Sequence, residues 1–380
     1  AHRRLTSDAS KGEAMSVHPK LKPVSVQSLD GRVVIWSRAL TRIHLADPTG
    51  GLADLLRLLA EGTRTASQLS DALTAVEPAE VEAVLATLDE MGLLTDGDHD
   101  AALDPAMRAR HQSNLRFYDL FARLERPASA YVRTAHEASV LLLGAGGVGS
   151  GVLQSLVGLG VGAVTIVDDD TVEVKNLARQ FVYGLSSIGR PKVEVAAEWA
   201  AAYSTGTAVT PVRRRVRSAA DIVELGTAAG ADLVVCAIDT PDDIHLMVNE
   251  ACFALGRPYV VGGLNYSTLS YWSVEPGAGP CRRCLESRRD AETATQEPIL
   301  RSAPLVARVP VNRATGPIVQ LVSGFMAMEA MRYLTRSDEP VARAAYQIIE
   351  LADGMAPSVS PWERDPACPL CASAALEAVA

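Results

Sequence analysis

The chain has 380 residues, 48% of them hydrophobic, so it is long enough to bury a sizeable core. At about 150 residues per domain, this length predicts two or three domains. The 36 basic residues against 45 acidic ones leave a net charge of −9, which argues against broad nucleic-acid binding. No run approaches the roughly 18 apolar residues of a membrane-spanning helix, so neither nucleic acid nor membrane is an expected partner.

Residues 1–14 are polar and patternless ahead of Met15 and read as an expression-derived or disordered leader. No secretory signal pattern follows, so the expectation is a cytoplasmic protein. Between residues 22 and 47, KPVSVQSL and RVVIWSR flank Asp30-Gly31, a turn dipeptide that predicts a tight hairpin of two strands. Leu52, Leu55, Leu56 and Leu59 then recur at helical spacing. A second short helix begins at Thr65, and a third opens on Pro78 and stops at Gly92. Strands followed by three short helices predict a small, winged-helix-like α+β domain over residues 15–95. Residues 96–135 read as a linker and helical arm.

From Ser139 the pattern changes. The apolar runs SVLLLGAG, AVTIVDDD, ADLVVCAID and PYVVGGL alternate with helical segments. Continuous apolar strands separated by helices predict a mostly parallel, Rossmann-like sheet with both faces covered, over residues 136–380. Directly after the first of these strands, Gly144, Gly146 and Gly149 satisfy G-x-G-x-x-G at the start of a helix. Glycines there permit a tight turn and let backbone N–H groups approach a phosphate at the positive helix end. Asp168 ends the next strand, at the spacing of a ribose-binding carboxylate. Arg179-Gln180 and Lys192 follow, with Pro191 suited to a first helical turn. An NAD oxidoreductase has no need of these cations. Nucleotidyl transfer has, because charge builds on the phosphorus in its transition state.

These residues resemble the ThiF/MoeB superfamily, the adenylating fold that includes ubiquitin-activating enzymes. The match rests on G-x-G-G-x-G at Gly144–Gly149 (which includes Gly147), D-x-D-x-V-E at Asp168–Glu173, N-L-x-R-Q at Asn176–Gln180 and G-R-P-K at Gly189–Lys192. The resemblance implies adenylation of a chain-terminal carboxylate by Mg-ATP with release of pyrophosphate. It also implies roles by position. Asp168 would hold the ribose, Asp170 would support the nucleotide, and Asn176, Arg179 and Lys192 would contact the triphosphate. Asp239 would hold Mg²⁺, and a homodimer is implied. The superfamily's second arginine before the glycine loop, which reaches into the partner's site, is replaced by Ser113; Arg110 and Arg116 are the substitutes at hand. His245, near a family arginine position, reads as packing or surface.

Four of the six cysteines form two Cys-x-x-Cys pairs, Cys281/Cys284 and Cys368/Cys371, the spacing of a closed structural Zn²⁺ site. A redox dithiol is the competing chemistry. Cys236 and Cys252 read as small core residues. No cysteine lies between Cys284 and Cys368, where ubiquitin-type activators carry their thioester cysteine, so the adenylate must be captured otherwise.

The amino-terminal pattern resembles PqqD-like elements that grip the leader of a ribosomally made precursor peptide by strand addition. A DNA-reading helix would be basic, whereas residues 67–90 carry acidic residues and no Lys or Arg. Together the two parts are similar in role to microcin-C-type peptide adenylyltransferases. Two alternatives stand beside that reading. One is activation of a ubiquitin-like sulfur carrier. The other is a ThiF-like presenter of leader peptides to a cyclodehydratase, which should tolerate loss of Arg179, Lys192 or Asp239; this chain keeps all three.

Overall fold

The computed structural model describes residues 17–38, 41–74, 76–98, 103–301 and 314–372; the leader at 1–14 lies outside them. The chain divides into two units at Tyr131/Val132, so most of the expected arm goes with the first.

In the first unit β1 (Pro19–Leu21) precedes an antiparallel sheet of β2 (Ser25–Leu29), β3 (Arg32–Arg38) and β4 (Thr41–Ala46). Leu29 pairs with Arg32 across Asp30 and Gly31, whose φ angles of 50° and 69° are those of a two-residue hairpin turn. Three helices follow: α1 (Gly51–Glu61), α2 (Ala66–Ala72) and α3 (Pro78–Glu90). Thr65 and Gln68 form a reciprocal cap on α2, and Gly92 takes φ 74° just past α3. β5 (Leu94–Asp96) then returns to pair antiparallel with β1. Leu55, Leu56 and Leu59 of α1 pack against Val33, Ile35, Leu69 and Leu88, each such burial contributing about 1.5–3 kcal/mol. The sequence reading had two strands where three stand. In β4 no residue is fully buried, so its apolar alternation is faint. Two short helices, α4 (Pro105–Arg110) and α5 (Gln112–Tyr118), carry Arg110 and Arg116, and Asp104 caps the first through Ala106 and Met107 N–H.

α6 (Ala128–Glu137) leads into the second unit, where β6 (Ser139–Leu143), α7 (Gly147–Leu159), β7 (Ala163–Val167), α8 (Lys192–Tyr203), β8 (Ala208–Val212), α9 (Ala219–Ala229), β9 (Leu233–Cys236), α10 (Ile244–Leu255) and β10 (Tyr259–Asn265) alternate. The chain continues through β11 (Thr268–Val274), α11 (Arg282–Thr295), α12 (Pro298–Arg301), α13 (Gly316–Thr335), β12 (Ala345–Glu350) and β13 (Ala356–Pro361). The strands form one sheet in the order β13-β12-β11-β10-β9-β6-β7-β8. From β8 to β10 every pairing is parallel; from β10 to β13 every pairing is antiparallel.

Alternation along β6 explains the unbroken apolar run. Val140 and Leu142 pack with residues of α7 and α13 on one face, Leu141 and Leu143 with residues of α9 and α10 on the other. β8 escaped the sequence reading because it is an edge strand, mostly exposed, and Pro211 is tolerated only with a single neighbour. β7 lies on one side of β6 and β9 on the other. The crevice at their carboxyl ends is where an open α/β sheet receives its ligand.

Candidate functional site

The β6–α7 turn forms the floor of that crevice. Gly144 has φ 103°, and a Cβ there would lie 2.7 Å from the Ile238 side chain. A Cβ on Gly149 would fall 1.9 Å from Gly144 O, so the helix can approach the strand only with glycine present. Gly146 and Gly147 face a cleft of 1220 Å³, whereas Gly144 and Gly149 lie beneath it and act by packing. Tyr183 clamps the turn from the side, its hydroxyl donating to Ala145 O at 2.6 Å. Burial, then Asp168 and Asp170, push that phenol upward, so it stays protonated and donating. Sequence reasoning passed over Tyr183, whose only signal is its place three residues after Gln180.

Asp168 accepts from Ala145 N–H at 2.7 Å and from Asp170 N–H at 2.8 Å. One carboxylate therefore ties the glycine turn to the acidic strand end, with lone pairs to spare for a ribose hydroxyl. Asp170 accepts from Lys192 Nζ at 2.8 Å, and its carbonyl accepts Lys192 N–H at 3.0 Å. Pro191 occupies the cap of α8, which sets Lys192 as the helix's first residue, its side chain 6% exposed. The ammonium has three donors and spends one on Asp170.

Asn176 is buried and accepts Glu173 N–H at 2.8 Å, which fixes the short helical turn that carries Arg179. Among the described residues, Arg179 reaches back only to Lys175 O, at 3.3 Å. Gln180 is 2% exposed, and its Oε1 has no hydrogen-bond partner among the described residues. Asp168, Asp170, Asn176, Arg179, Gln180, Lys192 and Asp239 all line the one cleft with Gly146 and Gly147. Arg190 of the G-R-P-K stretch does not; it forks onto Glu198. Arg214 and Arg215 line it as well, from a loop that the sequence reading left unused. Arg214 is held by Asp221 and Glu224.

Asp239 stands beyond β9, exposed and with no hydrogen bond or ion pair among the described residues. A free carboxylate oxygen facing an anion-binding cleft suits a hard divalent cation such as Mg²⁺. His245 also lines the cleft, its ring edge-on to Trp272 at 5.0 Å. Burial, with the Arg282 charge beside it, lowers its pKa to about 4, so it is a neutral packing residue at pH 7.

At the start of α11 the four paired cysteines meet. All are buried, and their sulfur atoms lie within 4.8 Å of one another. Cys281 and Cys368 are 3.7 Å apart, and Cys284 and Cys371 3.3 Å. A tetrahedral site with Zn–S bonds of about 2.3 Å has S···S edges near ~3.8 Å, while a disulfide needs about 2.05 Å. The donor set fits Zn²⁺ and not two disulfides. Cys236 and Cys252 are buried, their thiols pushed up by desolvation.

A glycine turn at a helix start, a carboxylate at the next strand end and several cations in one cleft define a nucleotide-handling α/β enzyme. The sequence profile of the ThiF family matches residues 121–370. The chain belongs to the ThiF family and is an adenylyltransferase of the ThiF/MoeB type. It is 32% identical over 243 residues to the SAMP-activating enzyme E1 of Haloferax volcanii, covering 63% of this chain and 82% of that one. The sulfur carrier protein adenylyltransferase of Thermus thermophilus is 33% identical over 243 residues, covering 62% of this chain and 82% of its own. Among solved structures, E. coli MccB with ATP shares the fold, with a TM-score of 0.70 at 17% identity, covering 93% of this chain and 99% of that one. Among the described residues no helix is long and apolar enough to cross a membrane.

Proposed function

We propose that this adenylyltransferase activates the C-terminal carboxylate of a ribosomally made peptide whose leader is gripped by the first unit. One observation carries the choice of substrate. The likeness to MccB covers 93% of the chain and therefore includes residues of the first unit, whereas the relatives named for SAMP or a sulfur carrier match 62–63% of it. MccB has also been determined with N-formylated MccA. The β2–β3–β4 sheet of the first unit leaves β2 and β4 as edges, the kind of edge that a leader peptide can extend.

In the reaction a carboxylate oxygen of the peptide attacks the α-phosphorus of ATP in line. The bond to the bridging oxygen breaks, and pyrophosphate leaves with that electron pair. The carboxylate is already ionised at neutral pH, so no general base is required. Asp168 holds the ribose, Gly146 and Gly147 present N–H groups, and Asn176 and Gln180 shape the pocket. Arg179 and Lys192 offset the charge that develops on the phosphates. Mg²⁺ held by Asp239 would supply further neutralisation of the leaving pyrophosphate. Zn²⁺ on Cys281, Cys284, Cys368 and Cys371 would be structural. Every cysteine is buried, so the adenylate passes to a nucleophile outside the enzyme's thiols. A homodimer, checked by light scattering, completes the proposal.

The higher sequence identity of the sulfur-carrier relatives favours a second reading, in which the acceptor is a small carrier protein. ATP–pyrophosphate exchange separates the two. Exchange with one short peptide encoded beside the gene supports the peptide reading. Exchange only with a carrier protein ending in Gly-Gly replaces it.

A further inference from the structure

The cleft extends well past the nucleotide residues, and its far lobe is built from groups that ATP has no use for. Register places Val261 beside Cys236 of β9 on one side and Trp272 of β11 on the other. Continuing the β11–β12 pairing sets Trp272 opposite Tyr346, and their rings meet at 4.9 Å. Two strand spacings separate the end of β9, where Asp239 follows, from Trp272. At about 4.8 Å each, that is about 10 Å of sheet, the reach of about three extended residues. His245, Trp272, Arg282, Arg289 and Tyr346 line this lobe.

Its charge is not balanced. Arg282, mostly buried, pairs with Glu286 and donates to Tyr346 Oη at 2.5 Å. Its Nε is buried without a hydrogen-bond partner among the described residues. Arg289 is half-exposed, and its polar contacts among the described residues are long, 3.5 Å to Glu286 and 3.5 Å to Tyr346 Oη. Two guanidinium groups thus share one carboxylate, and neutral His245 adds no charge of either sign. The Tyr346 oxygen accepts from both arginines, which leaves its own hydrogen free to donate. A second carboxylate placed here would take charge-assisted bonds from Arg289 and a bond from Tyr346.

We propose that this lobe is a specificity subsite that reads an acidic side chain about three residues before the substrate's reacting terminus. The inference rests on the peptide reading above, and its test uses ligands that cannot react. Alanine heptapeptides ending in a carboxamide would carry one Glu, walked from two to five residues before the end. Peptides with Lys at the same positions serve as controls. Binding to the full chain is measured calorimetrically with a non-hydrolysable ATP analogue present. One Glu position should bind about tenfold tighter than its Ala or Lys counterpart, as a charge-assisted pair warrants. Arg289→Gln should erase the preference. Tyr346→Phe, which keeps the ring packing, should reduce it. Equal affinity for Glu, Ala and Lys peptides, including no detectable binding of any, overturns the subsite, as does a preference that survives Arg289→Gln. Selective binding without pyrophosphate exchange by the matching free-acid peptide would instead overturn the peptide reading and leave the subsite standing.

Discussion

The parallel half of the second unit's sheet, β8 through β10, and its antiparallel half, β11 through β13, meet one cleft with different chemistry. At the parallel end, side chains are fixed through backbone groups: Asp168 by two N–H donors, Asn176 by a third, Lys192 by its helix start. At the antiparallel end, rings position the charges. Arg282 lies over Trp272 at 5.4 Å and Arg289 over Tyr346 at 5.6 Å. Backbone-anchored groups demand particular residues at particular spacings, because the N–H groups they serve occur at fixed intervals. Ring-anchored groups demand only bulk and a plane, which many sequences provide.

Loss of the proposed zinc would test the comparison most severely, because the cysteine cluster ties the carboxyl-terminal tail to the start of α11, beside Arg282. Metal analysis should give about one zinc per chain. Chelation or Cys371→Ser should lower stability by about 5 kcal/mol or more in thermal melts, an amount set by structural zinc binding. Failure of the melt to shift would leave the antiparallel half standing on packing alone. Next in size, Lys192→Ala should slow pyrophosphate exchange about 10²–10³-fold with folding intact, the range for removing a transition-state charge partner. An unchanged rate would move the chemistry to Arg179. Gly149→Ala should cost about 2–4 kcal/mol, since the new methyl must displace the Gly144 carbonyl, and ATP affinity should fall with it.

The smallest effect belongs to the antiparallel side. His245 is neutral in the fold, with its pKa lowered to about 4, against about 6.5 when unfolded. The unfolded chain therefore binds the extra proton first. His245's contribution is fully present above about pH 6.5 and declines as pH falls towards about 4, by up to roughly 2 kcal/mol. His245→Phe should flatten that part of the stability–pH curve. A curve of unchanged slope would mean that the imidazole is not held neutral.

The same contrast explains what could be read in advance. Gly144, Asp168, Arg179 and Lys192 announce themselves because each occupies a backbone-dictated place in a short stretch of chain, and all of them reach the cleft or its floor. The cysteine pairs were equally legible, since their two Cys-x-x-Cys spacings predict the cluster of four buried sulfurs that the fold assembles. Tyr183, Arg289 and Tyr346 were not. Tyr183 acts on a residue 38 positions away, and Arg289 meets Tyr346 across 57. Two of the antiparallel strands, β12 and β13, were missed for a related reason. β13 has no buried residue, and β12 only one, so neither shows a clear apolar alternation. In the first unit the Asp30-Gly31 turn gave the hairpin, but no comparable punctuation marks β1 or β5.

The tie between Lys192 and Asp170 also bears on how a turnover ends. A cation left bare when pyrophosphate departs would have to be resolvated in a nearly closed site, and that penalty would hold the product back. Lys192 instead keeps a counter-ion that is itself 65% exposed to water. If Lys192 grips the phosphates as proposed, the departing anion leaves behind a pair already at rest, so that grip need not become a brake on release.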